Sequence, residues 1–390
     1  MHILTINTGS SSIKFSLYEF EEERLHIKGQ IDRIGTPPCG IKILSSDGSI
    51  LKEGETNLRG FKDGAALIAD WLNQMGYADS IVATGYRIVH GGARYREHCP
   101  VTEELVSYLK AITHLAPEHL PQEVEVIEEL SRHLVSTEAV ACFDTAFHRD
   151  ILTESKLYAI PFEFYEEGIM RYGFHGLSYE YITEELSLKE IPLDRVVIAH
   201  LGHGASMAAI KDGRCIDTTM GFTPAAGLVM STRCGDMDPG VILYLMKEKG
   251  ISVDGLNTLL NHHSGLLGIS GVSDDVRELL TREKEDERAA LSLRLFCHSA
   301  RKFIGSLSAT LGGLSTLVFT AGIGENSPEI RERILSGLEF LGIRLDVKRN
   351  RENQRFISTP DSPVRVMVLK TDEECMIARH TKRILKREGR

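Results

Sequence analysis

An α/β fold with two related lobes is what this sequence predicts, and three observations predict it. Two Gly/Ser-rich turns, Asn7-Thr8-Gly9-Ser10-Ser11-Ser12 and Gly202-His203-Gly204-Ala205-Ser206, lie about half a chain apart, and each interrupts an apolar run that resumes on its far side. Strand-like and helix-like segments alternate through the second half, the pattern of an α/β architecture. The chain has 390 residues, more than one core usually serves.

Each element has its own signal. The first hairpin joins the apolar run 3–6 to 13–17. Residues 63–75 carry Leu67, Ile68, Trp71, Leu72 and Met75 at helical spacing, with Gly76 as a stop. Residues 81–89 read as a strand running into Gly91-Gly92. Pro121 suits the first turn of a helix bearing Val124, Ile127, Leu130 and Leu134. A short strand at 140–143 ends in Asp144, and a Gly- and aromatic-rich stretch at 155–178 reads as loop. The second hairpin joins 196–199 to 207–210. Residues 288–311 form a long amphipathic helix closed by Gly312-Gly313. A strand at 316–320 meets the turn Gly322-Ile323-Gly324-Glu325-Asn326, then a helix to about Phe340. After a strand at 364–369, Thr371-Asp372-Glu373-Glu374 reads as a capping box opening the last helix. The expected lobes are 1–150 with 375–390, and 151–374.

Composition narrows the function. Apolar residues make up 42% and charged residues 26%, ordinary for a globular protein, and the net charge of −10 is dispersed without a basic stripe. Nucleic acid is therefore not an expected partner. No apolar run approaches the roughly 18 residues of a membrane span, and the opening lacks a signal-peptide pattern. Seven scattered cysteines without a Cys-x-x-Cys pair fit reduced thiols in a cytoplasm. Fifteen histidines without His-Glu-x-x-His spacing give no reason to expect zinc.

A turn offering backbone N–H groups, the hydroxyls of Ser10 and Ser12 and the ammonium of Lys14 can cradle a polyanion. Two such turns suggest a phosphoryl-transfer enzyme. Neither is a Walker A loop, and Gly322-x-Gly324 lacks the third glycine of a dinucleotide fingerprint. Asn7 either supports its turn or offers an oxygen to a metal ion. Arg87 and Arg233 are salt-bridge partners or guanidinium forks for a carboxylate and a phosphoryl group. His175, between Gly173 and Gly176, is a core histidine or a functional one. Asp144 ends an apolar strand, where loop caps and functional carboxylates both occur. Glu373 has a sufficient explanation in helix capping.

Taken together, these segments resemble the acetokinase family of short-chain carboxylate kinases, within the acetokinase, sugar kinase, chaperone ATPase and actin superfamily. The resemblance runs through Asn7-x-Gly9-Ser10-Ser11-Ser12-x-Lys14, Arg87-x-Val89-His90-Gly91-Gly92, Phe143-Asp144-Thr145-Ala146-Phe147-His148 and Arg171-Tyr172-Gly173-Phe174-His175-Gly176. It continues through Gly221-Phe222-Thr223-Pro224, Thr232-Arg233-Cys234-Gly235-Asp236, residues 319–326 and Glu373-Glu374. It implies two ribonuclease H-like lobes, a homodimer, and magnesium-dependent phosphoryl transfer between ATP and a short acid, acetate first. By resemblance, Asn7 and Glu373 take the metal positions, and Ser10, Ser12 and Lys14 the phosphate hairpin. Arg87 takes the substrate-carboxylate position, Asp144 the acid beside the reacting group, and His175 and Arg233 the transition-state positions. Val89, Phe174 and Pro224 match the small-substrate pocket. His200, Leu201, Gly202, His203 and Gly204, with Asp275, Val276 and Arg277, and Gly322, Ile323, Gly324, Glu325 and Asn326, match the nucleotide segments.

Three places depart from the family pattern. His203 stands where the second phosphate turn has Asn. Glu118, in Ala116-Pro117-Glu118-His119-Leu120-Pro121, occupies a leucine position of the alkyl pocket, and Leu120 replaces an asparagine. Ala225-Ala226-Gly227 replaces Leu-Glu-Gly. These departures keep open a kinase for propionate, butyrate or a polar short acid, and a non-catalytic nucleotide-binding paralogue. Val89 counts against a propionate preference, whose relatives carry a smaller residue there. The paired Arg87 and Arg233 count against an ATP-driven conformational protein of the chaperone or actin branch.

Overall fold

In the computed structural model, which describes residues 1–387 and 389, the opening apolar run is a central strand buried along both faces. This strand, β1 (His2–Thr8), pairs antiparallel with β2 (Ser12–Glu19), and the register sets Asn7 opposite Lys14. The chain divides into two units, Met1–Arg149 with Asp372–Arg390, and Asp150–Thr371. The second expected lobe ended at 374. Residues 372–374 instead group with the first unit, where the Asn7 side chain binds Glu373 and Glu374. Residues 388 and 390 of the expected first lobe lie outside the described residues.

Among the described residues the first unit holds one sheet in the order β5-β4-β3-β2-β1-β6-β8-β7. Its further strands are β3 (Leu25–Asp32), β4 (Cys39–Ser45), β5 (Ile50–Thr56), β6 (Ile81–Ile88), β7 (Cys99–Pro100) and β8 (Glu138–Phe143). β6 runs parallel to β1, and β8 parallel to β6. The second unit orders its sheet β11-β10-β9-β12-β13, from β9 (Val196–Leu201), β10 (Ala205–Lys211), β11 (Arg214–Thr218), β12 (Thr316–Thr320) and β13 (Arg365–Val368). The two sheets share one plan: a three-stranded antiparallel meander whose first strand pairs in parallel with a later strand, which pairs in parallel with a further one. That repeat is the pair of related α/β halves expected from the half-chain spacing of the two turns, and it fits the ribonuclease H-like lobes that the family resemblance implies.

The helices expected at 63–75, from Pro121, and at 288–311 form as Phe61–Gln74, Leu120–His133 and Glu287–Leu311. Along β6, side chains alternate faces. Gly85 lies against Ile377 and Thr381 of the last helix, Glu373–Arg387, while Tyr86 bonds Ser131 of the Leu120–His133 helix.

Four local expectations need correction. The 155–178 stretch contains the single-turn helix Glu163–Glu166, and the helix Gly176–Leu188 begins within it. Buried Ser178 and Thr183 break the apolar period of that second helix, so no stripe is legible. The turn at 322–326 is itself a helix, Ala321–Asn326, entered through Ala321 at φ +64°. The following helix, Pro328–Leu335, stops short of Phe340, near the left-handed Gly337. Thr371 does not cap the last helix. Its hydroxyl bonds Ser178, and Asp372 Oδ1 accepts from the Cys375 N–H at 2.9 Å instead.

The close approach at Gly85 generates a prediction. A Cβ there would stand 2.2 Å from Thr381 Oγ1 and 2.6 Å from Ile377 Cγ2, whereas one at Gly54 would meet nothing within 4 Å. Gly85→Ala should therefore lose about 1–3 kcal/mol of stability in urea titrations. Gly54→Ala should lose less than about half of that, limited to backbone and propensity effects. Equal losses in the two variants would contradict this packing of the last helix.

Candidate active site

Parallel pairing builds the first unit's cluster. With Ile6 beside Tyr86 and Ile88 beside Phe143, the carboxyl ends of β1, β6 and β8 bring Asn7, Arg87 and Asp144 to one edge of the sheet. Functional groups in open α/β sheets gather at that edge. Arg87 donates from Nε (3.1 Å) and Nη2 (2.6 Å) to Asp144 Oδ2, with the two side chains 15% and 2% exposed. Its Nη1 reaches Asn7 Oδ1 at 3.3 Å and the Thr8 carbonyl at 3.4 Å. Burial works against the Arg87 charge, and Asp144 and Glu373 outweigh it, so the guanidinium is held above its ordinary range.

Asn7 also donates from Nδ2 to Glu373 Oε2 and Glu374 Oε1, each at 3.2 Å. Burial first, and Glu373 second, push the Glu374 carboxyl up, the mark of two acids crowded together. Glu373 and Glu374 thus bring carboxylate oxygens with surplus negative charge, which suits a hard divalent cation, while Asn7 meets them through its amide N–H and turns Oδ1 to Arg87. Lys14 is exposed, and its charge acts on Glu374. Ser10 is exposed and Ser12 half-buried, both at the mouth of the hairpin. Val89 is buried, Glu118 half-buried, and Leu120 fully buried at the start of its helix.

The sequence reading missed Glu123. It sits in the first turn of the Leu120–His133 helix, where an acid is unremarkable. The fold buries it to 1% exposure with both carboxyl oxygens 3.2 Å from the Val89 N–H. Burial pushes its carboxyl up to about 8, against the pull of Arg87 and the Val89 N–H and with a further push from Asp144.

In the second unit, His175 and Arg233 converge on the second hairpin turn. A Cβ on Gly204 would lie 3.3 Å from His175 Nε2 and 3.4 Å from Arg233 Nη1, so glycine lets both approach the backbone. His175 is held at φ +60°, a left-handed conformation uncommon outside glycine. Its Nδ1 pairs with Ser206 Oγ at 2.8 Å, and its ring stacks on His200 at 4.2 Å. His200 is pinned in turn by Ser178 Oγ at 2.8 Å. Arg233 Nη1 donates to the Pro224 carbonyl at 3.3 Å, and Phe174 is buried beside this chain of contacts in sequence.

The expected nucleotide segments share one cavity of about 940 Å³, whose lining includes Gly202, His203, Asp275, Val276, Arg277, Gly322, Ile323 and Asn326. His203 Nε2 lies 2.9 Å from Asp274 Oδ2, a cavity-wall partner that the sequence reading did not identify. Five expected members are not on this wall, and one of them, Gly204, lies instead against His175 and Arg233. The Leu201 side chain is core, His200 and Gly324 are buried, and Glu325 faces inward. Its Oε1 accepts from the Ala321 and Thr371 N–H groups at 2.9 and 3.1 Å, so it braces the turn.

Arg331, also missed, is 0% exposed beneath the same turn. Its five N–H donations go to Asn350 Oδ1, the Asn350 carbonyl, Asn353 Oδ1 and the carbonyls of Gly324 and Glu325, at 2.7–3.1 Å. Burial pulls its guanidinium down to about 10, with Glu329 acting the other way. An arginine one turn into a helix gives no sequence sign of such burial.

The model of the acetokinase family matches residues 2–379. An acetate kinase of Bacillus subtilis (strain 168) is 43% identical over 397 residues, spanning 98% of this chain and 99% of that protein. Among solved structures, a propionate kinase from Francisella tularensis matches with a TM-score of 0.92 and an acetate kinase from Porphyromonas gingivalis with 0.89. Each is 36% identical, over 98% of this chain and 99% of theirs.

Arg331 carries the prediction from this geometry. Lysine can make at most three of the five donations and leaves buried carbonyls unmet, at about 1–3 kcal/mol each. Arg331→Lys should therefore lower stability by at least about 2 kcal/mol in urea titrations. An unchanged midpoint would contradict the brace.

Proposed function

The chain belongs to the acetokinase family, and from that premise we propose that it transfers the γ-phosphoryl group of ATP directly to acetate, reversibly giving acetyl phosphate and ADP. The observation that carries this reading is the largely buried Arg87, fixed by Asp144 and Asn7 at the carboxyl edge of the sheet. A guanidinium so held is a preformed receptor for a carboxylate.

In this reading a carboxylate oxygen of acetate attacks the γ-phosphorus. The new O–P bond forms as the bond to the β,γ-bridging oxygen breaks, and its electron pair leaves on ADP. Acetate is already ionised at pH 7, so no protein base is needed. Asp144 spends one oxygen on Arg87 and acts by orienting it rather than by removing a proton. Arg233 and His175 Nε2, both next to Gly204, are assigned to the equatorial oxygens of the moving phosphoryl group. Ser206 and the left-handed backbone fix the His175 ring for that task. Ser10, Ser12 and Lys14 are assigned to the phosphates, and the cavity containing His203, Val276 and Asn326 to the nucleoside. Asn7 and Glu373, with Glu374 beside them, are assigned to Mg²⁺, which when bound would neutralise phosphate charge.

Val89, Phe174 and Pro224 are assigned to the methyl pocket. A polar or longer short acid is the second reading, favoured by the half-buried carboxylate of Glu118. We place the enzyme in a reducing cytoplasm, in keeping with seven free cysteines. We also propose a homodimer. The helix Pro239–Glu248 buries none of its residues and exposes Leu243 and Tyr244 by more than half, a face suited to a second copy. Among the described residues no helix is long and apolar enough to cross a membrane.

Trapping acyl phosphate as hydroxamate from ATP and a panel of short acids tests the proposal. Acetate should give the highest kcat/KM, and no product from any acid would overturn the kinase reading. Arg233→Ala should lower kcat by roughly 10³ or more. Arg87→Ala should in addition raise KM for the acid, and a folded Arg233→Ala variant with unchanged kcat would remove that residue from the transition state.

A further inference from the structure

Resting on the carboxylate-binding role proposed for Arg87, we infer that Glu123 is a positioning residue whose proton sets the enzyme's affinity for its acid substrate. Glu123 is almost wholly buried, and both its oxygens face the N–H of Val89, two residues beyond Arg87 on the same strand exit. Val89 is itself assigned to the acyl pocket. One carboxyl group thus stands directly behind the segment that carries both the receptor for the substrate carboxylate and a wall of its methyl site.

The surrounding charges decide what that carboxyl does. From β6 it meets the cation Arg87; on the same strand and its exit, burial keeps the Tyr86 phenol neutral and lowers the His90 imidazole to a pKa of about 4. From the exit of β8 it meets the anion Asp144. The turn before its own helix carries His114, Glu118 and His119. The lysines of neighbouring helices are engaged further along, Lys62 with Glu129 and Lys110 with Glu128. Arg87 also feels Glu373. With Glu123 neutral, one cation faces two anions. With Glu123 ionised it faces three, and a carboxylate substrate meets a site already overcharged with its own sign. Burial and Asp144 hold the proton on Glu123 up to about pH 8, where an exposed glutamate would have lost it. At neutral pH the residue supports Val89 without adding charge.

Loss of that proton should weaken acid binding and leave the chemical step largely intact. Initial rates of ADP formation at saturating ATP, with acetate varied, read this between about pH 6.5 and 9.5. In the wild type, KM for acetate should rise roughly tenfold across the alkaline half of that range, with kcat changing less than about threefold. In Glu123→Gln, whose amide cannot ionise, KM should stay level. Parallel profiles in the two proteins would overturn this inference alone. No acid-dependent turnover at any pH would overturn the kinase reading beneath it.

A second readout does not depend on turnover. The folded-state pKa of Glu123 is raised, so its favourable contribution is complete below the ordinary carboxylate pKa and is lost as pH rises through about 8. The stability of Glu123→Gln relative to wild type should therefore increase from about pH 5 to 9. A constant difference would overturn the inference. If the variant does not fold, the wild-type profile decides, and a KM that stays flat to the alkaline limit overturns it.

Discussion

The buried pair between Arg87 and Asp144 is the constraint around which the first unit is arranged. A guanidinium with 15% of its side chain exposed cannot stand alone in a sheet edge. It takes a carboxylate at 2.6 Å, an amide oxygen from Asn7 and a backbone carbonyl from Thr8. These three come from the ends of β1 and β8, the strands flanking β6. Parallel pairing is what delivers them. Breaking such a pair by removing one partner costs about 3–5 kcal/mol, because the other charge is left buried. The proposed carboxylate receptor and the fold therefore share these residues, and Asn7 extends the same network to Glu373 and Glu374.

The second unit solves a different problem, which is how to hold its backbone turns in place around an open cavity. Its devices are local strain and buried donors. His175 and Ala321 sit at φ +60° and +64°, values that nearby packing must hold in place. Glu325 ties the start of the Ala321–Asn326 helix, and Arg331 grips its last carbonyls. The exposed Gly322 and Asn326 and the half-buried Ile323 of that helix are left facing the cavity. Rigid support below with accessible groups above suits the nucleotide role proposed for this cavity.

Much of this was legible in the sequence because it rests on local rules. Apolar runs interrupted by Gly/Ser turns mark hairpins, and the repeat of that signal half a chain later anticipated two sheets of one plan. Arg87, Asp144, His175 and Arg233 stood out through their motif context. The illegible residues are those whose meaning depends on burial. Glu123, in a first helical turn, and Arg331, one turn into a helix, have ordinary addresses in the chain. Only the tertiary fold removes them from water. Ser178 and Thr183 hid a helix because they bury hydroxyls rather than methyl groups. Glu325 matched a nucleotide motif yet turns inward to serve the backbone.

In the proposed reaction the acid attacks phosphorus directly, with Arg87 and Asp144 positioning it and no group on the protein becoming phosphorylated. The stereochemical course of transfer tests this most directly. With ATP made chiral at the γ-phosphorus by oxygen isotopes and sulfur, one in-line displacement inverts the centre. Inversion in the acyl phosphate product is the predicted result. Retention would require an even number of displacements, hence a phosphorylated side chain on the path, and would contradict the mechanism.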